Sequence, residues 1–309
     1  MFLTEQQACE QTLVPGITAI VPTYNNSPRL FALSIMSLLR NTSNVTMHIN
    51  VTINGPDRRT GDPETQNQKQ WFLEAIREEK YRDRDMPLTV QRVWSRVGHA
   101  QAIDSAMPWV HTKYFLLMHD DVLVTEPCWD LKVIPCLNNP DTGLVFAGRH
   151  HALDRITCGP WEDGKNLINF PHPQTYFVAG SRAFLGKFRW QGYFVKGDFD
   201  GIQVDKEMID HQERFNMPPQ PITPEAGYLT YDIGSWLLYN VQKSGMQIVE
   251  IPEDTVLHLG GFSWAGERRN ERQVQRYMTV INDLEVQCRE DLPKLFKIYW
   301  DMFGDYKFS

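Results

Sequence analysis

An α/β fold is what this chain predicts: a sheet of parallel strands joined by helical crossovers, followed by a charged helix and an aromatic tail. Three observations carry the expectation. Strand-length apolar runs alternate with amphipathic helical segments up to about residue 125, the pattern of right-handed crossovers that gather strand ends along one edge. With 309 residues and 42% hydrophobic content, the chain can bury one large core without disulfide or metal staples. Periodicity fades between residues 140 and 230, which are rich in Gly, Pro and aromatics, and returns at Asp232; long functional loops are expected between.

The elements follow in order. Residues 17–21, Ile-Thr-Ala-Ile-Val, read as a buried strand that stops at Pro22. After Thr-Tyr-Asn-Asn, Ser27 is a good N-cap with Pro28 at the first helical position, and Phe31, Ile35, Leu38 and Leu39 recur on one helical face. Strict alternation over 47–53 argues a second strand, closed by Asn54-Gly55-Pro56-Asp57. A helix is expected over about 64–80 with Trp71, Phe72, Ala75 and Ile76 inward, a third strand over 88–94, and a helix over 99–111 that Pro108 ends or kinks. Tyr114 to Met118 make the fourth strand. Short strand candidates stand at 143–147 and 175–179. Residues 233–244 read as a helix stopped by Gly245, followed by strands at 246–251 and 255–259 and a charged helix from about 266 to 290.

The global balance narrows the function. A net charge of −7 and a pI of about 5.7 favour neither nucleic acid nor an anionic membrane, so any bound phosphate must be met locally. Cys9, Cys128, Cys136, Cys158 and Cys288 are odd in number and lack zinc spacing, which fits a reducing compartment. The first residues lack a basic region and a long apolar run, and nowhere do about 18 apolar residues follow one another. A cytoplasmic protein without a signal peptide or transmembrane segment is expected. The Asn-x-Ser/Thr triplets at Asn41, Asn44 and Asn50 are then chance.

The most informative stretch is residues 114–124, an apolar run that delivers His119, Asp120 and Asp121 and turns apolar again. Adjacent carboxylates at the lip of a buried sheet cost free energy unless a cation or strong donors meet them. A divalent ion, Mg²⁺ or Mn²⁺, with a phosphorylated ligand completing its shell, is the natural partner; a solvated turn is the plainer alternative.

Taken in order, Ala19-Ile20-Val21-Pro22-Thr23-Tyr24-Asn25, the stretch Tyr114 to Val122 and the segment Asp232 to Trp264 resemble the family 2 glycosyltransferases, whose GT-A fold is a Rossmann-like mixed sheet. The resemblance covers roughly residues 16–265. It implies a leader over 1–15, a catalytic domain over 16–265 with a nucleotide-sugar half to about 125 and an acceptor half from about 126, and a helical extension over 266–309.

The resemblance also implies roles. Pro22, Thr23 and Tyr24 would cradle the donor nucleotide, unless they only start the helix. At the end of the second strand the family presents an acid to the base or ribose, and here Asn54 stands there. Asp104, after Gly98 and His99, matches a polar helix position facing the nucleotide, or is a surface charge. The family's Asp-x-Asp becomes His119-Asp120-Asp121, so Asp121 is the direct metal ligand, Asp120 a donor contact, and His119 a ligand, a ribose contact or a packing group. The competing Asp198-Phe199-Asp200 lacks a buried strand before it. His258, ahead of Gly260-Gly261, would complete the metal site, or serve as a structural histidine. Arg268 and Arg269 suit a diphosphate, though Arg272 and Arg276 continue them at helical spacing as a solvated face. Asp232 matches the family's base, with Glu225 in reserve, and can equally be an N-cap. Trp161, Trp190, Tyr193 and Phe194 could stack on an acceptor sugar, and Gly180-Ser181 resembles the loop beneath the donor sugar.

The implied function is metal-dependent, inverting transfer of a sugar from a nucleotide-diphosphate sugar to a hydroxyl acceptor, a glycan or glycoconjugate. The alternatives are a nucleotidyltransferase, which a Gly-rich loop and nearby Lys after the first strand would favour, and a non-catalytic carbohydrate- or nucleotide-binding module. The aromatic tail, from Leu295 to Phe303, caps the core, touches a membrane peripherally or joins two copies of the chain.

Overall fold

A strand whose every side chain is apolar, such as Tyr114 to Met118, is stable only when covered on both faces. A computed structural model shows how this is done. It describes residues 14–23, 27–43, 45–54, 63–78, 88–92, 99–147, 157–160, 166–169, 176–182, 229–231, 241, 244–259 and 271–306, with backbone alone for some positions. The strands are β1 (Val14–Thr23), β2 (Met47–Ile53), β3 (Leu88–Arg92), β4 (Thr112–Met118), β5 (Val122–Val124), β6 (Thr142–Ala147), β7 (Thr157–Pro160), β8 (Asn166–Asn169), β9 (Phe177–Ser181), β10 (Leu229–Tyr231), β11 (Gln247–Ile251) and β12 (Val256–His258). The helices are α1 (Pro28–Asn41), α2 (Pro63–Glu78), α3 (His99–Ala106), α4 (Asp130–Leu137), α5 (Glu271–Asp291) and α6 (Pro293–Phe303).

The main sheet has the order β11-β6-β9-β4-β1-β2-β3. Pairings β4–β1, β1–β2, β2–β3 and β6–β11 are parallel, while β9 runs antiparallel to both β4 and β6, so the sheet is mixed as expected. Strand order reverses at β1. The chain steps outward to β2 and β3, then returns to lay β4 on the other side of β1, and the crevice between their carboxyl ends is a topological switch point where α/β sheets bind ligands.

Side-chain alternation divides the core. Ile17, Ala19, Val21, Tyr114, Leu116 and Met118 join the helices α1, α2, α4, α5 and α6 on one face, whereas Ile20, Phe115 and Leu117 meet α3 and Val241 on the other. Each of the larger of these side chains, taken fully from water, contributes about 2 kcal/mol. The alternation of β2 ordinarily means one wet face, yet all seven of its residues are buried, because α3 covers the polar side and Asn50 donates to the Ala106 carbonyl at 3.0 Å. Asn50 therefore has no room for a glycan.

Several expectations change. β1 runs through Pro22 to Thr23; pairing with β4 ends at Ile20, so a residue without an N–H is tolerated at the strand's free end. Ser27 caps α1 without its side chain, and Pro28 starts the helix. In α2, Trp71 is exposed; Gln66, Lys69, Phe72, Leu73 and Ile76 form the buried stripe. Gly180 and Ser181 lie within β9 rather than in a loop. A Cβ on Gly180 would meet the Phe115 ring at 2.5 Å, so the glycine serves strand packing. Helix α3 ends at Ala106, before Pro108, as the proline requires.

The C-terminal helices belong to the main core: Ile281, Leu284, Cys288, Leu295, Tyr299 and Phe303 are buried in it. Arg29 of α1 clamps them, donating to Glu285 of α5 at 2.8 Å, to Tyr299 of α6 at 3.0 Å and to the carbonyls of Gly304 and Tyr306. No helix among the described residues is long and apolar enough to cross a membrane.

Candidate active site at the sheet switch point

The edge of β5 has an unusual partner. Helix α1 is buried on nearly all sides, and its Ser34, Ser37 and Asn41 occupy one stripe at helical spacing. Ser34 donates to the Val122 carbonyl at 2.7 Å, the Val124 N–H donates to Ser37 at 3.0 Å, and Asn41 donates to the Val124 carbonyl at 2.6 Å. Side chains thus supply the hydrogen bonds that another strand would give, satisfying a buried edge. The other edge of β5 pairs antiparallel with β12, placing His258 opposite Val122. Leu259 N–H closes the turn onto the Asp121 carbonyl at 3.0 Å.

This scaffold brings together His119 from the end of β4, Asp121 from the head of β5 and His258 from the end of β12. One ligating atom from each lies within 4.8 Å of the others, and His258 Nε2 is 3.4 Å from Asp121 Oδ1. Among the described residues this is the one such group of three. Two imidazoles and a carboxylate at this spacing fit a divalent ion. Burial is the largest influence on the Asp121 carboxyl and opposes ionisation. The hydrogen bond from His258 and the charges of His258 and His119 outweigh it, so the group lies below its ordinary value.

Tyr176, absent from the sequence expectations as a site residue, touches both histidines, the main chain of one and the ring of the other. Its carbonyl accepts the His119 N–H at 2.9 Å, and its ring stacks on His258 with centroids 4.3 Å apart and planes 23° apart. Burial, then the charge of Glu253, pushes its phenol up to about 12, so it stays neutral. The sequence offered only its place in the short strand candidate at 175–179, with no sign of what that strand would pair with.

Asp120 points elsewhere and is met by strong donors from within the fold. Its carboxylate accepts from the Thr23 hydroxyl, and Lys69 Nζ, wholly buried, donates to Thr23 Oγ1 at 2.7 Å and lies 3.6 Å from Asp120. One of the two adjacent acids is therefore met by an internal lysine rather than by an outside cation. Desolvation dominates the lysine and lowers its pKa to about 8, against the partly restoring charge and hydrogen bond of Asp120. Lys69 was legible only through register: it shares the stripe of Phe72, Leu73 and Ile76 at i, i+3, i+4 and i+7.

Of the other expected site residues, Pro22 and Thr23 end β1 at the crevice, and Asn54, buried, donates its N–H to the Thr23 carbonyl at 2.9 Å and accepts Gln66 Nε2 at 2.6 Å on its own carbonyl. Asp104 lies on α3, its side chain outside the described residues. Tyr24, Trp161, Trp190, Tyr193, Phe194, Asp198, Asp200, Glu225, Asp232, Arg268 and Arg269 fall outside them altogether.

No family model matches the chain, and no curated protein matches it by sequence. Solved structures match in fold. Glycosyltransferase GlyE of Streptococcus pneumoniae TIGR4 aligns with a TM-score of 0.50 and 12% identity, over 92% of this chain and 64% of its own. Mannosyltransferase PcManGT of Pyrobaculum calidifontis, solved with GDP-Man and Mn²⁺, gives 0.45 and 13%, over 98% and 81%. The 4-diphosphocytidyl-2C-methyl-D-erythritol synthase of Anaerococcus prevotii DSM 20548 gives 0.38 and 12%, over 72% and 90%. At such identities the likeness is one of architecture. The fold is of the GT-A type found in nucleotide-sugar glycosyltransferases.

Proposed function

We propose that this protein is a metal-dependent glycosyltransferase, inverting at the anomeric carbon, that moves a sugar from a nucleotide-diphosphate donor to a hydroxyl of a glycan or glycoconjugate. The observation that carries the reading is the convergence of His119, Asp121 and His258 at the switch point of a GT-A sheet.

In this reading His119, Asp121 and His258 hold Mn²⁺ or Mg²⁺, which when bound supplies positive charge for the departing diphosphate. Pro22, Thr23, Tyr24, Asn54, Asp104 and Asp120 are assigned to the donor nucleotide, Asp120 through its hold on Thr23, and Arg268 and Arg269 to the diphosphate. Asp232 takes the proton of the acceptor hydroxyl as that oxygen attacks the anomeric carbon. Trp161, Trp190 and Tyr193 stack on the acceptor. Thr23 already donates to Asp120, so its part toward a nucleotide rests on main-chain groups. A second copy of the chain could join through the C-terminal segment, where Trp300 is half exposed.

A nucleotidyltransferase would need a lysine free to meet a triphosphate beside the first strand. Lys69 reaches that strand, but it is buried and paired with Asp120, which weighs against this alternative.

The test is donor turnover. Purified protein with Mn²⁺ or Mg²⁺ should release nucleoside diphosphate from one of a panel of sugar nucleotides, and Asp121→Ala should abolish release. Turnover that survives this change removes the metal reading. Asp232→Asn should cut transfer and leave donor binding intact; an unchanged rate dismisses Asp232 as the base. Calorimetry showing free-glycan binding without donor binding favours the non-catalytic module.

A further inference from the structure

A buried side-chain amide ordinarily uses both of its ends. Gln66, the fourth residue of α2 and only 2% exposed, uses one. Its Nε2 donates to the Asn54 carbonyl at 2.6 Å, while among the described residues no group donates to Oε1, which is itself buried. An acceptor left in this state is destabilising until a donor meets it.

The amide head is held where the sheet ends. Asn54 directly follows β2, and its N–H donates to the Thr23 carbonyl at 2.9 Å, so Gln66 reaches from α2 to the joined ends of β1 and β2, on the side of the crevice assigned above to the donor nucleotide. The same hydrogen bond fixes which way the amide faces. Turned over, it would set Oε1 against the Asn54 carbonyl oxygen, acceptor against acceptor. A free glutamine reads donors and acceptors alike, whereas this one offers a ligand an oxygen and never an N–H.

We propose that Gln66 is a specificity-determining residue for the donor base, its Oε1 accepting the ring N3–H of uracil or thymine. The inference rests on the nucleotide-sugar reading above and narrows it to UDP- or TDP-sugars. One buried acceptor matches a donor with one hydrogen, and the N3–H of these bases is such a donor. The exocyclic amines of cytosine, adenine and guanine each bring a second hydrogen, which beside Oε1 would be buried without a partner. The N3 of cytosine and the N1 of adenine are bare acceptors that would oppose the oxygen.

The experiment is a calorimetric titration of the full chain, with Mn²⁺ present, by UDP, TDP, GDP, ADP and CDP in turn. UDP or TDP should bind at least about tenfold more tightly than the other three, and the pair separates uracil from thymine. UDP methylated at N3 loses the hydrogen and should bind wild type at least about tenfold more weakly than UDP. Gln66→Met, close to isosteric, should bring the affinities for UDP and CDP to within about threefold of one another; a residue that only held Asn54 in place would weaken all five alike and leave their ratios unchanged. If this variant does not fold, the wild-type panel and the methylated nucleotide decide. Binding of GDP, ADP or CDP as tight as that of UDP and TDP, indifference to the N3 methyl group, or a folded Gln66→Met that keeps the preference overturns the assignment and leaves nucleotide-sugar transfer standing. Failure of wild type to bind any of the five overturns both.

Discussion

Asp120 and Asp121 are neighbours in sequence and opposites in surroundings. Asp120 closes a dry cluster with Thr23 and Lys69 between β1, β4 and α2, while Asp121 faces two imidazoles, one of them on a ring about a quarter exposed. The first is an internal ion pair that ties strand ends together, and the second is a ligand set open to a visitor. A sequence motif read as one acidic pair thus divides into a structural half and a chemical half. The peptide between the two residues is where the fold hands over to the site.

The comparison breaks hardest at Lys69. Lys69→Met leaves the buried Asp120 charge without the ammonium that faces it, and it should cost about 3–5 kcal/mol in denaturant unfolding. Adding Asp120→Asn to that variant removes the stranded charge and should recover most of the loss. If the double variant is no more stable than the single, Lys69 stabilises by packing alone. Asp121→Asn should behave in the opposite way: a stability change of about 1 kcal/mol or less, and no response to metal. Wild type should gain about 3 kcal/mol from Mn²⁺ at a hundred times its Kd, by mass action, and this variant should gain nothing. Equal stabilisation of both proteins would place the ion elsewhere.

Protonation sharpens the same contrast. Folded Lys69 loses its proton near pH 8, whereas the unfolded chain keeps it to the ordinary value of 10.5. Between these values the unfolded state binds more protons, so Lys69 makes stability rise with pH; below about pH 8 both states are protonated and the slope vanishes. Thermal melts from pH 7 to 10 should show this upward contribution in wild type relative to Lys69→Met. A difference between the two that falls with pH would contradict the buried position of the ammonium.

What the sequence disclosed, and what it hid, follows from the range of the interactions. The switch point was legible because local signals mark strand ends: Thr23 after a β-rich run, His119 to Asp121 after an unbroken apolar one, His258 before paired glycines. Parallel strand order gathers Thr23 and His119 to Asp121, whereas His258 arrives through the antiparallel pairing of β12 with β5. Lys69 was hidden because a lysine among Gln66, Asn67, Gln68 and Gln70 reads as a wet helix face, and its partner lies 51 residues away. Trp71 misled for the mirror reason: a large aromatic ring suggested the inward stripe, and α2 instead turns Leu73 inward and leaves the indole half exposed. Tyr176 was hidden since its role comes from an antiparallel strand inserted between β4 and β6, a pairing that periodicity does not encode. Helix α4 escaped notice because Pro135 lies inside it.

The smallest effect concerns how Asp121 is held in place. Ser37 accepts the Val124 N–H and donates to the Ser34 carbonyl, so Ser37→Ala leaves a buried backbone donor without its acceptor on the strand that begins one residue after Asp121. The expected loss is about 1–2 kcal/mol of stability. Because the antiparallel pairing with β12 survives on the other edge, the His258 and Asp121 backbones keep their register, and Mn²⁺ affinity should fall only a fewfold. Ser37→Thr retains the hydroxyl and should restore most of both. A loss of metal binding as deep as that of Asp121→Asn would mean that α1, rather than the pairing of β5 with β12, fixes the ligands. The hydrogen bonds from the helix would then be part of the site itself.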